Sequence, residues 1–253
     1  MKITRLGHAM FTLETKKGFT MLFDPFIGMN SVYKELDFST INAVVLTHGH
    51  FDHTEGMGKV KEANASIPVI AQYELALQFM GEGFGQVIPM NFGGTVALGD
   101  VSITMVYAQH TSSYKETQGV PVYAGVACGY IIECADEPTI YVSGDTGLTK
   151  EMEVIQDCYK PEIALLSVGD FLTMGVRESD YAVRNLLNVK KVVPLHTFPT
   201  RENSESKEVY DALKQNFPII DAMTSQGVEL KERLSDHSTE VVLVDFNETV
   251  DLG

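Results

Sequence analysis

Thr47-His48-Gly49-His50-Phe51-Asp52-His53 follows directly on Ile41-Asn42-Ala43-Val44-Val45-Leu46. The earlier stretch is short, apolar and rich in β-branched residues, the composition of a buried strand. The later one sets four metal-type side chains, His48, His50, Asp52 and His53, at that strand's end. Neutral imidazoles and carboxylates are the ligands that borderline divalent cations take. A loop this short cannot wrap all four around one ion without strain. It can aim His48 and His50 one way and Asp52 and His53 another, which suits two neighbouring metals. The plain alternative is a polar turn with exposed histidines, and four such side chains so close together argue against it.

Working outward, Met1–Met10 and Phe19–Phe23 read as strands about a Lys16-Lys17-Gly18 turn, running into Asp24-Pro25-Phe26. Residues 28–40 read as a loop or short helix, Glu55–Ala63 as a helix, Pro68–Ala71 as a strand and Tyr73–Met80 as a helix. The Gly81–Gly85 tract has no preceding strand and no following P-loop Lys-Ser/Thr, so it reads as a loop. Val101–Gln109 alternates and stops at His110. Ala124–Cys134 and Thr139–Ser143 read as paired strands about Asp136-Glu137-Pro138, and the second ends at Gly144-Asp145-Thr146-Gly147. Lys150–Cys158 is expected to be a helix, Ile163–Val168 a buried strand, Glu178–Leu187 a helix, and Lys191–Leu195 a strand ending at His196. Ser204–Asn216 reads as a helix and Val241–Phe246 as a last strand. No internal repeat or composition break divides the chain, so residues 1–253 are expected to form a single α/β domain of two sheets covered by helices.

The formal net charge of −15 makes the average electrostatic term repulsive toward nucleic acid and anionic membrane, so neither is expected as a partner. No stretch has the length and apolarity of a signal peptide core or a membrane span. Cys128, Cys134 and Cys158 are odd in number and scattered, which does not fit a disulfide framework. Cys128 and Cys134 lie in apolar sequence and read as small core residues. A cytoplasmic protein acting on a small molecule is expected, with a homo-oligomer left open.

The remaining histidines extend the first motif. His110 and His196 each fall where an apolar strand run stops, and Asp145 does the same. Sites in layered α/β folds assemble at strand ends. Taken alone, His110 or His196 is an ordinary strand-end histidine and Asp145 a turn residue; beside His48-x-His50-x-Asp52-His53 they read as ligands.

The series His48, His50, Asp52, His53, then His110, Asp145 and His196, resembles the metallo-β-lactamase superfamily over most of the chain. Leu6-Gly7-His8-Ala9, Asp24-Pro25-Phe26, Gly144-Asp145-Thr146-Gly147 and Thr173-Met174-Gly175 further resemble small stand-alone prokaryotic metal-dependent hydrolases related to L-ascorbate-6-phosphate lactonase. That resemblance implies a four-layer αββα sandwich of two mixed β-sheets flanked by helices. It implies that His48, His50 and His110 hold one divalent metal, that Asp52, His53 and His196 hold a second, and that Asp145 bridges them. The cofactors it implies are two divalent ions, zinc or manganese first, with iron or nickel also compatible. A hydroxide between the metals is then the expected nucleophile, oriented by Asp52, on a small ester, lactone or phosphodiester. His8 is the second catalytic candidate, as a substrate contact or support for the ligands; a structural histidine is the competing reading. Asp170 either orients an imidazole or caps its loop, and His237 reads as exposed.

Two features depart from those relatives. His196-Thr197-Phe198-Pro199 lacks two residues that they commonly place after the final histidine, and the tail from about Ser235 has no recognised counterpart. His50 stands where flavodiiron-type relatives carry Glu, and Asp145 where many true metallo-β-lactamases carry Cys. Two readings from other classes remain: a mononuclear iron dioxygenase of the same fold, and a non-catalytic metal-binding protein.

Overall fold

A β-meander opens the chain: Lys2–Arg5 (β1), Phe11–Glu14 (β2) and Thr20–Phe23 (β3) pair antiparallel. Ala43–Val45 (β4), Val69–Gln72 (β5) and Val87–Met90 (β6) continue that sheet in parallel register. Phe51–Thr54 (α1), Met57–Asn64 (α2) and Tyr73–Gly81 (α3) lie in the connections. Thr95–Leu98 (β7) and Val101–Tyr107 (β8) begin the second sheet, and Ser113–Thr117 (β9) with Val120–Tyr123 (β10) form a separate two-stranded ribbon. Cys128–Cys134 (β11), Ile140–Val142 (β12), Ile163–Ser167 (β13) and Lys191–Leu195 (β14) complete the centre of the second sheet, with Glu151–Tyr159 (α4) and Val176–Asn185 (α5) between them. Lys207–Asn216 (α6), Ile220–Met223 (α7) and Gln226–Arg233 (α8) precede Glu240–Val241 (β15) and Thr249–Asp251 (β16). This computed structural model describes residues 1–27, 36–198, 207–216 and 218–253.

Period-two alternation sorts these strands into layers, because successive strand side chains face opposite ways. Met21 and Phe23 of β3, Met105 of β8, Tyr130 and Ile132 of β11 and Leu165 of β13 share one apolar layer between the sheets. Their neighbours Leu22, Val44 and Ala71 face α2 and α3. Ile131, Ala164 and Leu166 face α4, α5 and α8. Both faces of the central strands are therefore dry, which is why β4 and β13 read as continuous apolar runs. The result is two seven-stranded mixed sheets, β16-β1-β2-β3-β4-β5-β6 and β15-β14-β13-β12-β11-β8-β7, packed face to face and flanked by helices. It is the expected αββα architecture.

Several expected boundaries move. The strand read as Met1–Met10 stops at Arg5, because the Leu6 and Gly7 amides both donate to Met10 O and close a tight loop around His8. The helix read as Glu55–Ala63 begins only at Met57, as α2, and ends at Asn64; the short helix α1, which was not expected, precedes it, and the Gly56 amide between them donates to Pro25 O. The strand read from Ala124 begins at Cys128, whose amide reaches across to Thr47 O. The expected strand Val241–Phe246 is only β15, because the chain then turns to bring Val244 O and the Phe246 ring onto Arg5. The tail has a structural role: β15 pairs with β14 and β16 with β1, so it adds one edge strand to each sheet. Of the segment 28–40, residues 28–35 lie outside the described residues and Phe38–Thr40 form a 3-10 turn. Residues 204–206 of the expected helix Ser204–Asn216, and Pro199, also lie outside them.

Candidate metal centre

Strands β4, β8, β12 and β14 end on one edge of the sandwich, and the seven predicted ligands sit on the loops that leave them. His48, His50, Asp52 and His53 follow β4, His110 follows β8, Asp145 follows β12 and His196 follows β14. The fold brings all seven together in three overlapping groups whose ligating atoms lie within 4.8 Å of one another: His48, His50 and His110; His8, Asp52, His53 and His196; and His48, His53 and Asp145. In the first group His50 Nδ1 is 3.0 Å from His48 Nε2 and 3.3 Å from His110 Nε2. Asp145 Oδ2 stands between the groups, 3.0 Å from His196 Nε2, 3.4 Å from His53 Nε2 and 3.9 Å from His110 Nε2. Asp52 Oδ2 lies 3.6 Å from His53 Nε2 and 3.7 Å from His196 Nε2.

Backbone strain and close approach hold the loops. His196 has φ of +59°, uncommon for a side chain this large, and its amide donates to His8 O at 2.6 Å. Gly169 makes room for it: a Cβ there would lie 2.4 Å from His196 O and 2.6 Å from its Nδ1. Gly144, just before Asp145, has φ of +58°, and its absent Cβ would fall 2.4 Å from Cys128 O.

A hydrogen-bond relay fixes two imidazole tautomers. Asp24 follows β3 and is 2% exposed. Its Oδ1 accepts from the Thr47 amide at 2.8 Å, and its Oδ2 accepts from the Thr47 hydroxyl at 2.7 Å and from His53 Nδ1 at 2.9 Å. The Thr47 hydroxyl has spent its one proton on Asp24, so at 3.0 Å it accepts from His48 Nδ1. His48 and His53 thus keep their protons on Nδ1 and turn Nε2 toward the centre, the usual way a carboxylate or hydroxyl orients a ligating imidazole. Arg5 ties the next layer. Its guanidinium is 6% exposed and donates to the carbonyls of Gly7, His8, Val244 and Thr197 and to Thr197 Oγ1. The loop carrying His8, the loop carrying His196 and the tail are thereby pinned to one cation. Asp24, Thr47 and Arg5 were not among the predicted site residues. The available signal was Asp24-Pro25 at a strand end; Arg5 has no local signal at all.

The electrostatics couple the buried carboxylates to two of the histidines. Burial opposes ionisation of Asp145 and Asp52, yet His196 and His53 hold both carboxyls well below the usual range. Conversely, burial is overcome at His53, which Asp145, Asp52 and Asp24 lift well above an ordinary histidine, and at His196, pushed up to about 9 chiefly by Asp145. Burial lowers His48, His50 and His110 and keeps them neutral. His53 Nε2 and both nitrogens of His196 are buried without an aligned hydrogen-bond partner, although carboxylate oxygens lie close by. Buried nitrogens left in this state are unusual unless something else engages them. Imidazole and carboxylate donors converging from several sides suit divalent cations, which would displace the protons on His53 and His196.

His8 joins the second group. Its Nε2 donates to Asp52 Oδ2 at 3.1 Å, its ring stacks on Phe198, and burial pushes it down to about 4, so it is neutral. Asp170 accepts from the Phe171 amide at 2.8 Å and caps its own turn. His237 is half-buried rather than exposed, and its Nδ1 accepts from the Thr239 amide. Cys128 is in the core, while Cys134 packs at its border with its thiol donating to Asp100.

Comparison with known proteins places this geometry in context. Residues 20–197 match the family model of the beta-lactamase superfamily domain. A UPF0173 metal-dependent hydrolase of a Ruegeria species is 36% identical over 237 residues, covering 91% of this chain and 100% of the relative. Another from Azorhizobium caulinodans is 40% identical over 209 residues, covering 79% and 87%. Among solved structures, Igni18, a metallo hydrolase of the archaeon Ignicoccus hospitalis, superposes with a TM-score of 0.78 at 26% identity over 98% of this chain and 97% of its own. An isothiocyanate hydrolase from Delia radicum gut bacteria shares the fold, with a TM-score of 0.69 at 22% identity over 100% and 99%.

Proposed function

The chain belongs to the UPF0173 family of metal-dependent hydrolases, within the beta-lactamase superfamily, and from that premise we propose that it is a binuclear hydrolase acting on an ester, lactone or phosphodiester of a small molecule. One observation carries the reading: the three-histidine group and the His53, His196 and Asp52 group flank Asp145, with buried nitrogens of His53 and His196 facing the carboxylates without an aligned hydrogen bond. On this reading His48, His50 and His110 would hold one ion, Asp52, His53 and His196 the other, and Asp145 would touch both. Divalent ions bound there supply an acidified water and positive charge for the substrate's carbonyl or phosphoryl oxygen. Zinc or manganese is the first expectation, and iron and nickel accept the same His and Asp donors.

The chain's own residues supply the rest. Asp52, the most exposed carboxylate of the group at 25%, can accept a hydrogen bond from an attacking water and orient it. His8 holds that carboxylate by donating to Oδ2, and Phe198 and Phe26 hold His8 by ring contact. We further propose one catalytic domain over residues 1–253, working in the cytoplasm; the three free thiols support a reducing compartment. No helix among the described residues is long and apolar enough to cross a membrane.

Metal content per chain, measured on protein purified without chelator or immobilised metal, tests the reading. About two zinc or manganese ions, with turnover abolished by Asp145→Ala, supports it. About one iron with oxygen consumption replaces it with the dioxygenase reading. No metal, and none taken up on addition, refutes both.

A further inference from the structure

A cavity of about 410 Å³ opens over the candidate centre, a size suited to a small molecule. Its floor is polar: His8, His50, Asp52 and His196. Its walls are not. Phe26, Phe51, Leu172, Phe198, Ile219 and Met223 line it from separate loops and helices. Phe51 is 54% exposed and Leu172 47% exposed, and neither belongs to the core. Leu172 is held at the rim deliberately. Asp170 and Phe171 are consecutive non-glycine residues with φ of +59° and +44°, and the Leu172 and Thr173 amides both donate to Asp170 O. Strain of this kind persists only where the surroundings over-determine it, and it clusters where ligands are gripped.

Charge on the walls points the same way. Lys115 is the one ammonium or guanidinium among the described lining residues, and it is tied to Glu82 and lies over the Tyr114 ring. The other charged residue on the wall is Glu116, so the described wall carries no net positive charge away from the polar floor. Resting on the hydrolase reading above, we infer that the natural substrate is a neutral carboxylic ester or lactone carrying an apolar alkyl or aryl group, received between Phe51, Leu172, Phe198 and Ile219. In such a hydrolysis the water oxygen bonds to the acyl carbon, the bond from that carbon to the alcohol oxygen breaks, and the alkoxide leaves with the water's proton.

The test compares kcat/KM of the metal-loaded protein on p-nitrophenyl acetate, butyrate and hexanoate and on bis(p-nitrophenyl) phosphate. The expected result is a rise of about two- to fourfold per added methylene, the upper figure corresponding to full burial. The Leu172→Asp variant changes an exposed residue and should fold, and it should flatten the hexanoate-to-acetate ratio toward unity. A readout independent of turnover is binding of hexanamide against acetamide to metal-depleted protein by saturation-transfer NMR, with hexanamide preferred and the preference lost in Leu172→Asp. A flat chain-length profile, or the phosphodiester as the best substrate, overturns the inference and leaves the hydrolase reading standing. Hexanamide binding that depends on Leu172, with no metal-dependent turnover of any substrate, overturns the hydrolase reading and upholds the pocket's chemistry.

Discussion

Asp24→Asn should separate the relay behind the metal groups from the groups themselves. The substitution keeps the side chain's shape, and Asn tolerates the left-handed backbone that Asp24 adopts at φ of +46° about as well as Asp does. What changes is that one acceptor becomes a donor. With the amide nitrogen at the Oδ1 position it faces the Thr47 amide at 2.8 Å, donor against donor in a site only 2% exposed. With the nitrogen at the Oδ2 position it faces the Thr47 hydroxyl and His53 Nδ1. Thr47 can rotate its proton away, but His53 must give up its Nδ1 proton, so that the one it keeps sits on Nε2, the nitrogen that looks toward Asp145 and Asp52. Either arrangement forfeits at least one buried hydrogen bond to a charged group, about 1.5–3 kcal/mol. The second also protonates an atom proposed to ligate metal, and loss of such an orienting partner typically lowers metal affinity about 10- to 100-fold. Zinc affinity by competition with a chelating indicator, together with urea denaturation of the metal-free protein, measures both effects. A variant that binds zinc as tightly as the parent and unfolds at the same urea midpoint would refute the relay as the device that sets the His53 tautomer.

Three further outcomes are expected. Gly169→Ala should weaken metal binding at the His53 and His196 group more than at the three-histidine group, because the new methyl meets His196 at 2.4–2.6 Å; partial metal stoichiometry by elemental analysis reports it. Arg5→Lys keeps a cation but loses the fork that reaches four carbonyls. It should destabilise by about 2–4 kcal/mol in urea unfolding, from the unpaired carbonyls it leaves buried. Native protein at pH 8 should titrate one thiol with a disulfide reagent and three after denaturation. Burial pushes Cys128 and Cys134 up to about 12, so both stay as unreactive thiols until far above that pH, whereas Cys158 is exposed. Three fast thiols in the native state would contradict that packing.

Local chemistry made much of the site legible. The ligand types of His48, His50, Asp52 and His53, their closeness along the chain and the apolar run before them are properties of neighbouring residues, and the succession of strand-like and helical runs carried the two-sheet arrangement in the same way; the four-layer order came from the family resemblance. His110, Asp145 and His196 could be placed because each follows a buried strand and parallel strands share an edge. Short edge strands escaped notice for the converse reason: β6, β7, β9, β10 and β16 are half-exposed and carry weak alternation.

Other features belong to contacts made far along the chain. Asp24 reads as a turn residue until Thr47 and His53, 23 and 29 positions away, arrive as its donors. Arg5 reads as the end of a strand until Thr197 and Val244, 192 and 239 positions away, surround it. The tail carries no motif, yet it closes an edge of both sheets and supplies the carbonyl and ring that Arg5 grips. The apolar cavity wall is drawn from loops and helices separated by most of the chain, so its character exists only once they meet. Periodicity and ligand type are carried by residues within a few positions of each other and survive in the sequence alone. Tautomers, pinned loops and cavity walls depend on which distant groups share a few ångströms of buried space, and only the closed sandwich decides that.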